Sequence, residues 1–350
     1  MNYLIPKSMR RAASLTGILF LAFAPPTLLM ADPTADLAAF SVFDKVDLAQ
    51  LGRGEVKTLR GPAMSSPRYL SVQSVYAVPG SPAKALEALR GWDPTRHSEI
   101  RVFVHSDIAG VPSANSFAKL RLAPDNGPVR SLVAATQKAD RDLQLGRDDA
   151  AKFKASSAGA AGGVMPAAVT GFWTDLLIAR TQTFLSGGSA AQPAYAHNGE
   201  SVRPSDELSG LLRQQGKIRA QFSSFLEGTG IGRGAGSLKP EIYWELLEAD
   251  DQGVLTLGAF YSRPSAAGTM QAADALYYAS GGYYVALTLY QMWAVEIEGK
   301  PSTLVWRGDM ISARSLAALH GVERIASESS MIKDISKAVT LFRRDTAGTR

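Results

Sequence analysis

The sequence predicts an α+β fold: an antiparallel sheet packed on a long C-terminal helix, with a helical insertion. Three observations carry this. Residues 283–297 (YYVALTLYQMWAVEI) are rich in β-branched and aromatic side chains and are bracketed by Gly281-Gly282 and Gly299-Lys300-Pro301. Read at a period of two, Tyr283, Val285, Leu287, Leu289, Trp293, Val295 and Ile297 fall on one face. Tyr284, Ala286, Thr288, Tyr290, Met292 and Ala294 fall on the other. A strand that is largely apolar on both sides is covered on both sides. Residues 302–313, with Leu304, Trp306 and Ile311, read as a second strand. Val322, Ile325, Met331, Ile332, Ile335, Val339 and Phe342 then recur at three- and four-residue spacing, one stripe of a helix.

The 350 residues are 46% hydrophobic and 20% charged, an ordinary globular balance. Lys7, Arg10 and Arg11 precede an apolar run over residues 12–24. Pro25-Pro26 follows, and then Leu29-Met30-Ala31 before Asp32. This is the layout of a secretory signal peptide cleaved after Ala31, and it places the protein in the periplasm or outside the cell. The run is short for a membrane span, which needs about 20 residues. No span is expected once the signal is removed. Removing residues 1–31 takes away three positive charges and no negative one, so the formal net charge of +5 becomes +2. That balance, with no block of like charges, argues against nucleic acid as a partner. Cysteine is absent, which excludes thiol nucleophiles and cysteine-containing zinc patterns.

Residues 32–67 form an N-terminal arm, and residues 68–350 a single α+β domain with its insertion at about 126–238. Within that domain, residues 68–78 alternate as a strand. Ser81 is placed to cap a helix that has Pro82 at its first position, Leu86 and Leu89 on its apolar face, and Gly91 at its end. Residues 99–104 and 116–122 read as further strands, and 129–153 as a helix. Residues 155–168 are small and glycine-rich. Two helices follow, over 169–185 and 205–227, the second capped by Ser205. Residues 242–247 and 254–261 flank Asp250-Asp251-Gln252-Gly253 as a β-hairpin. Residues 264–282 connect onward, with a short helix over 270–278.

Chemical motifs are sparse. The run GTGIGRGAGS over 228–237 lacks the Gly-Lys-Ser/Thr ending of a phosphate loop and follows a helix, not a strand. His97, Glu99 and His105, with Asp93 nearby, form the one cluster of ligand-type side chains. On one strand Glu99 and His105 lie roughly 20 Å apart, too far to share an ion. No metal site, cofactor or catalytic residue is assigned. The aromatic residues say more. Trp244, Trp293 and Trp306 fall in the C-terminal strands, near Tyr243 and Tyr290. Such side chains fill a core or line a cavity, and both readings stand.

The order of strand, helix, strands, antiparallel strands and a long last helix, over residues 68–122 and 239–344, resembles the START-like helix-grip superfamily, which includes proteins similar to the birch pollen allergen. The resemblance implies a curved sheet gripping the last helix around an apolar cavity, with a lipid or other hydrophobic small molecule as ligand. The expectation is therefore an exported protein that binds such a molecule without chemistry, through Trp244, Tyr290, Trp293 and Trp306. Two rivals stand beside it. One is an exported hydrolase using His97 or His197. The other is an envelope scaffold whose helices at 169–185 and 205–227 hold an unknown protein partner.

Overall fold

The structure, a computed structural model, describes residues 32–149, 151–152, 164–196, 199–265 and 268–348. The proposed signal peptide at 1–31, His197 and most of the glycine-rich stretch 155–168 lie outside the described residues. The elements run α1 (Pro33–Phe40), α2 (Leu48–Arg53), β1 (Lys57–Arg60), β2 (Tyr69–Pro79), α3 (Pro82–Arg90) and β3 (Val102–Ile108). The insertion carries α4 (Gly127–Lys138), α5 (Ala167–Gly187), α6 (Pro204–Arg213), α7 (Gly216–Gln221) and α8 (Ser223–Thr229). The chain finishes with β4 (Glu241–Ala249), β5 (Gln252–Pro264), β6 (Met270–Ala279), β7 (Val285–Ile297), β8 (Lys300–Ser312), α9 (Arg314–Ala318) and α10 (Gly321–Gly348).

All eight strands form one antiparallel sheet in the order β1-β2-β8-β7-β6-β5-β4-β3. The expected α+β class is what the chain adopts. One face of the sheet carries Val72, Tyr76, Ala272, Tyr290, Met292 and Val305, packed on α3 and on Ile335, Val339 and Phe342 of α10. The opposite face carries Val75, Leu257, Leu289, Trp293 and Leu304 under α1, α2 and the helices of the insertion. Both faces of β7 are covered, as its doubly apolar pattern required.

Several local expectations are corrected, each for a physical reason. Residues 114–122 are a 3-10 helix, not a strand. Phe117 and Leu120 are both fully buried, and at three residues per turn positions i and i+3 share a side. Residues 270–278 are strand β6, not a helix: pairing with β5 and β7 on both sides overrides the helix propensity of the alanines. The strand expected at 99–104 begins at Val102, after a 3-10 turn that ends on Arg101 in the left-handed region. The helix from 129 stops at Lys138, where Ala139 turns left-handed.

The helix expected over 205–227 is three short ones. Arg203, not Ser205, precedes the first, with Pro204 at its first position. The break at Gln215 turns its buried amide inward, where it donates to Ser71 Oγ at 3.3 Å. The apolar faces of α5 and α6 are spent inside the molecule. Val169, Phe172, Trp173, Leu208, Leu211 and Leu212 are buried there.

Helix α10 follows its stripe only in part. Val322 and Ile325 are 82% and 60% exposed. In the first turns the sheet-facing line instead holds Arg324 and Glu328, four residues apart and continuous with Met331, Ile335, Val339 and Phe342. Arg324 donates to the carbonyls of Pro67 and Tyr69, and buried Glu328 accepts from Arg60 at 2.9 Å. No helix among the described residues is long and apolar enough to cross a membrane.

Candidate functional site

Strand register decides what lies between the sheet and α10. Side chains two apart share a face, and directly paired residues share it too. The pairs His105↔Glu245, Asp107↔Tyr243, Tyr243↔Gly258, Phe260↔Asp274, Asp274↔Thr288 and Tyr290↔Arg307 therefore place one row of polar and aromatic side chains across the sheet. Ala286 and Thr288 on β7 and Asp274 and Leu276 on β6 keep accessible surface although they lie mid-sheet. Their neighbours on the other face are buried. The surface faces a cavity of about 290 Å³ roofed by Ala338, Val339 and Phe342 of α10 and walled by Leu89, Trp92 and Ile100.

The roof is fastened at its end. Asp345 of α10 accepts from Trp92 Nε1 at 2.9 Å and meets His97 Nε2 at 2.7 Å. Trp92 stacks on His97 and meets the Phe342 ring edge-on. His97 is thus a clip between the 92–97 segment and the last turns of α10. Beside it, Arg90 of α3 pairs with Glu241 of β4.

The floor holds two charge-matched pairs and one odd carboxyl. Arg307 and Asp309, two apart on β8, form a bidentate pair at 2.7–3.0 Å, and Thr288 donates to Asp309 at 2.9 Å. The Arg307 guanidinium also lies 5.6 Å from the centre of the Tyr290 ring. Burial works against the charge on Arg307, but Asp309 outweighs it and raises the pKa. His105 Nδ1 is 3.0 Å from Glu245 Oε1. Burial opposes the imidazolium here as well. The hydrogen bond and charge of Glu245, backed by Asp107 and Asp93, prevail and raise the His105 pKa.

Asp274 differs. Its hydrogen-bond partner is the neutral Tyr243 hydroxyl, which donates to Oδ1 at 2.7 Å. Burial, with the nearby charge of Glu245 adding to it, pushes the carboxyl up to about 7, against the opposing hydrogen bond from Tyr243 and the more distant charges of Arg307 and His105. Tyr243 can reach across β5 only because residue 258 is glycine. A Cβ there would sit 2.1 Å from Tyr243 Cζ.

Of the side chains expected to bind ligand, Tyr290 lines this cavity. Trp244, Trp293 and Trp306 do not; all three lie on the opposite face. Trp306 packs edge-on against Phe40 at 4.9 Å and beside Phe222, and its indole donates to Gln73. Trp293 is near Phe40. Trp244 lies beside Phe117 and donates to the Ser116 carbonyl at 2.8 Å. Each indole N–H that a ligand could have satisfied, where the structure gives its partner, is satisfied by protein.

The residues that sequence reasoning left unassigned are Tyr243, Glu245, Asp274, Thr288 and Arg307. Their signal was available: polar side chains at i and i+2 inside apolar strands, as in Arg307 and Asp309, or Tyr243 and Glu245. Among the described residues no group of three or more His, Asp or Glu could hold a metal ion. Comparison with protein-family models, with curated proteins and with solved structures gives no match, so the cavity itself carries the functional argument.

Proposed function

We propose that this protein binds a small organic molecule, with an apolar body and a polar group, between the sheet and α10. The observation that carries the reading is the row of mid-sheet side chains that keep accessible surface beneath the α10 roof. A plain core would have closed there, since interiors pack to crystal-like density. Apolar groups from Leu89, Phe260, Val339 and Phe342 suit the body of such a ligand, and the floor offers hydrogen bonds to its polar end. The sheet order puts an early strand beside the last one and a long helix across one face, which is the arrangement the helix-grip resemblance implies, and a hydrophobic ligand is the class that goes with that resemblance. With residues 1–31 read as an export signal, the setting is the periplasm or the outside of the cell. The hydrolase reading has no observation that favours it: His97 serves as the clip to Asp345 and Trp92, and His197 lies outside the described residues.

The test is native against denaturing mass spectrometry of the chain from Asp32 onward, purified gently, beside the cavity-filling variants Ala286→Phe and Ala338→Trp. A co-purifying small molecule, lost in both variants while circular dichroism shows them folded, is the expected result. Retention of the same molecule in both folded variants would place it elsewhere and defeat the reading. If no molecule co-purifies, uptake of a fluorescent amphiphile by the parent chain and not by the variants is the required outcome, and equal uptake by all three defeats the reading as well.

A further inference from the structure

Resting on that reading, charge matching around the cavity narrows the ligand class. Each basic side chain at the wall already has its own carboxylate. Arg307 faces Asp309, Arg90 faces Glu241, and His105 faces Glu245 with Asp107 at 3.6 Å. An anionic ligand would have to compete with these carboxylates, and at the largely buried Arg307–Asp309 pair stripping one partner is costly. It would also meet Asp274 and Glu245. On the negative side Asp274 feels the charges of Arg307 and His105 only from beyond ion-pair reach. Asp274 touches the hydroxyl of Tyr243, which carries no charge.

The groups facing Asp274 come from several elements. Tyr243 and Glu245 lie on β4, His105 on β3, Tyr290 on β7 and Arg307 on β8. The aromatic side chains of Tyr76, Trp92, Phe260 and Phe342 also line the cavity, and aromatic rings attract an organic cation rather than an anion. We propose that the cavity selects a ligand bearing an organic ammonium group over neutral or anionic molecules of the same shape, with Asp274 as its counter-charge.

The proposal has a proton signature. Asp274 titrates near neutrality in the ligand-free protein, pushed up to about 7 by burial. A cation bound beside it stabilises the carboxylate and expels the proton. Affinity for a permanently charged ammonium should therefore climb as pH rises through neutrality. The raised His105 pKa keeps its positive charge opposite Glu245 in the lower part of that range. Loss of the His105 charge at higher pH would act in the same direction, by freeing Glu245.

The experiment uses three ligands on one ring, cyclohexylammonium, cyclohexanol and cyclohexanecarboxylate, titrated into the chain from Asp32 onward by ligand-observed NMR. The ammonium is expected to bind about tenfold or more tightly than the alcohol at about pH 8.5, with the carboxylate weakest. Its affinity should fall by about tenfold toward pH 6, following the ionised fraction of Asp274. Asp274→Asn, which keeps an acceptor for Tyr243, should remove the preference for ammonium over alcohol and its pH dependence.

Equal binding of ammonium and alcohol, preference for the carboxylate, or an unaltered preference in Asp274→Asn would each overturn the proposal. Absence of binding by all three ligands would overturn it too. The cavity reading fails separately: in that case Ala286→Phe would leave the binding of cyclohexanol and cyclohexylammonium alike untouched.

Discussion

Replacing Asp274 with asparagine should make the ligand-free protein more stable, and only above acidic pH. In the folded protein this carboxyl is pushed up to about 7 by burial, against 3.8 for an ordinary aspartate. The gap of roughly three pH units corresponds to about 4 kcal/mol at about 1.4 kcal/mol per unit. Asp274 keeps some accessible surface toward the cavity, and solvent there screens the penalty, so about 2 kcal/mol is the working figure. The sign follows from proton counts. Between about pH 4 and pH 7 the folded state holds a proton that the unfolded state has released, so stability falls as pH rises through that window. Below it both states are protonated and the penalty is absent; above it the penalty is complete. Asparagine carries no charge at any pH. Urea unfolding of the parent and Asp274→Asn at a series of pH values should give a difference that is small and constant in acid. It should grow through the window and level off at about 2 kcal/mol in favour of the variant. A difference that is flat with pH would show that Asp274 is an ordinary solvated carboxylate, and the enclosed floor would fall with it.

Three further outcomes follow from the same geometry. Gly258→Val should displace the Tyr243 ring and cost about 2–4 kcal/mol by denaturant unfolding, through overpacking and loss of the Asp274 partner. Arg307→Met should cost about 3–5 kcal/mol because it strands the buried Asp309, and adding Asp309→Leu should recover much of it, a double-mutant cycle read by the same assay. Trp306→Ala should cost about 3–5 kcal/mol as a core truncation beneath Phe40 of α1 and Phe222 at the α7–α8 junction. If the variant remains folded, binding of ligand in the α10 cavity should persist.

The elements that were legible in the sequence are those whose hydrophobic period is uniform. β7, β8, the β4–β5 hairpin, α3 with its Ser81 cap and the body of α10 all follow local rules. What was not legible depends on neighbours. The alanines of β6 prefer a helix until two strands claim their hydrogen bonds. The 3-10 segment at 114–122 takes its form from the burial of Phe117 and Leu120. In the first turns of α10 an apolar stripe competes with a polar one, and Arg324 and Glu328 prevail because strand carbonyls and Arg60 await them. The site was half readable. The two faces of β7 were separated correctly, which put Tyr290 and Trp293 on opposite sides. Register was the missing step. Trp306 sits across from Gln291 and Trp244 across from Leu257, so all three tryptophans fall on the face that the insertion covers. Local pattern cannot supply that pairing.

The neighbouring positions of β2 and β8 bear on how the molecule can be made. Residues 69–79 find their main partner only when residues 302–312 arrive. Until then, one edge of β2 offers unmet backbone groups to any passing strand. Contacts this distant in the chain slow folding, even though the entropy of closing a longer loop grows only logarithmically. The floor and roof of the cavity also come from both ends of the chain, with Tyr76 from the early part and Val339 from the late part. A bound molecule would therefore act as a fastener between beginning and end. Its grip would oppose the opening that exposes β2, so an occupied molecule should unfold and aggregate more slowly than an empty one.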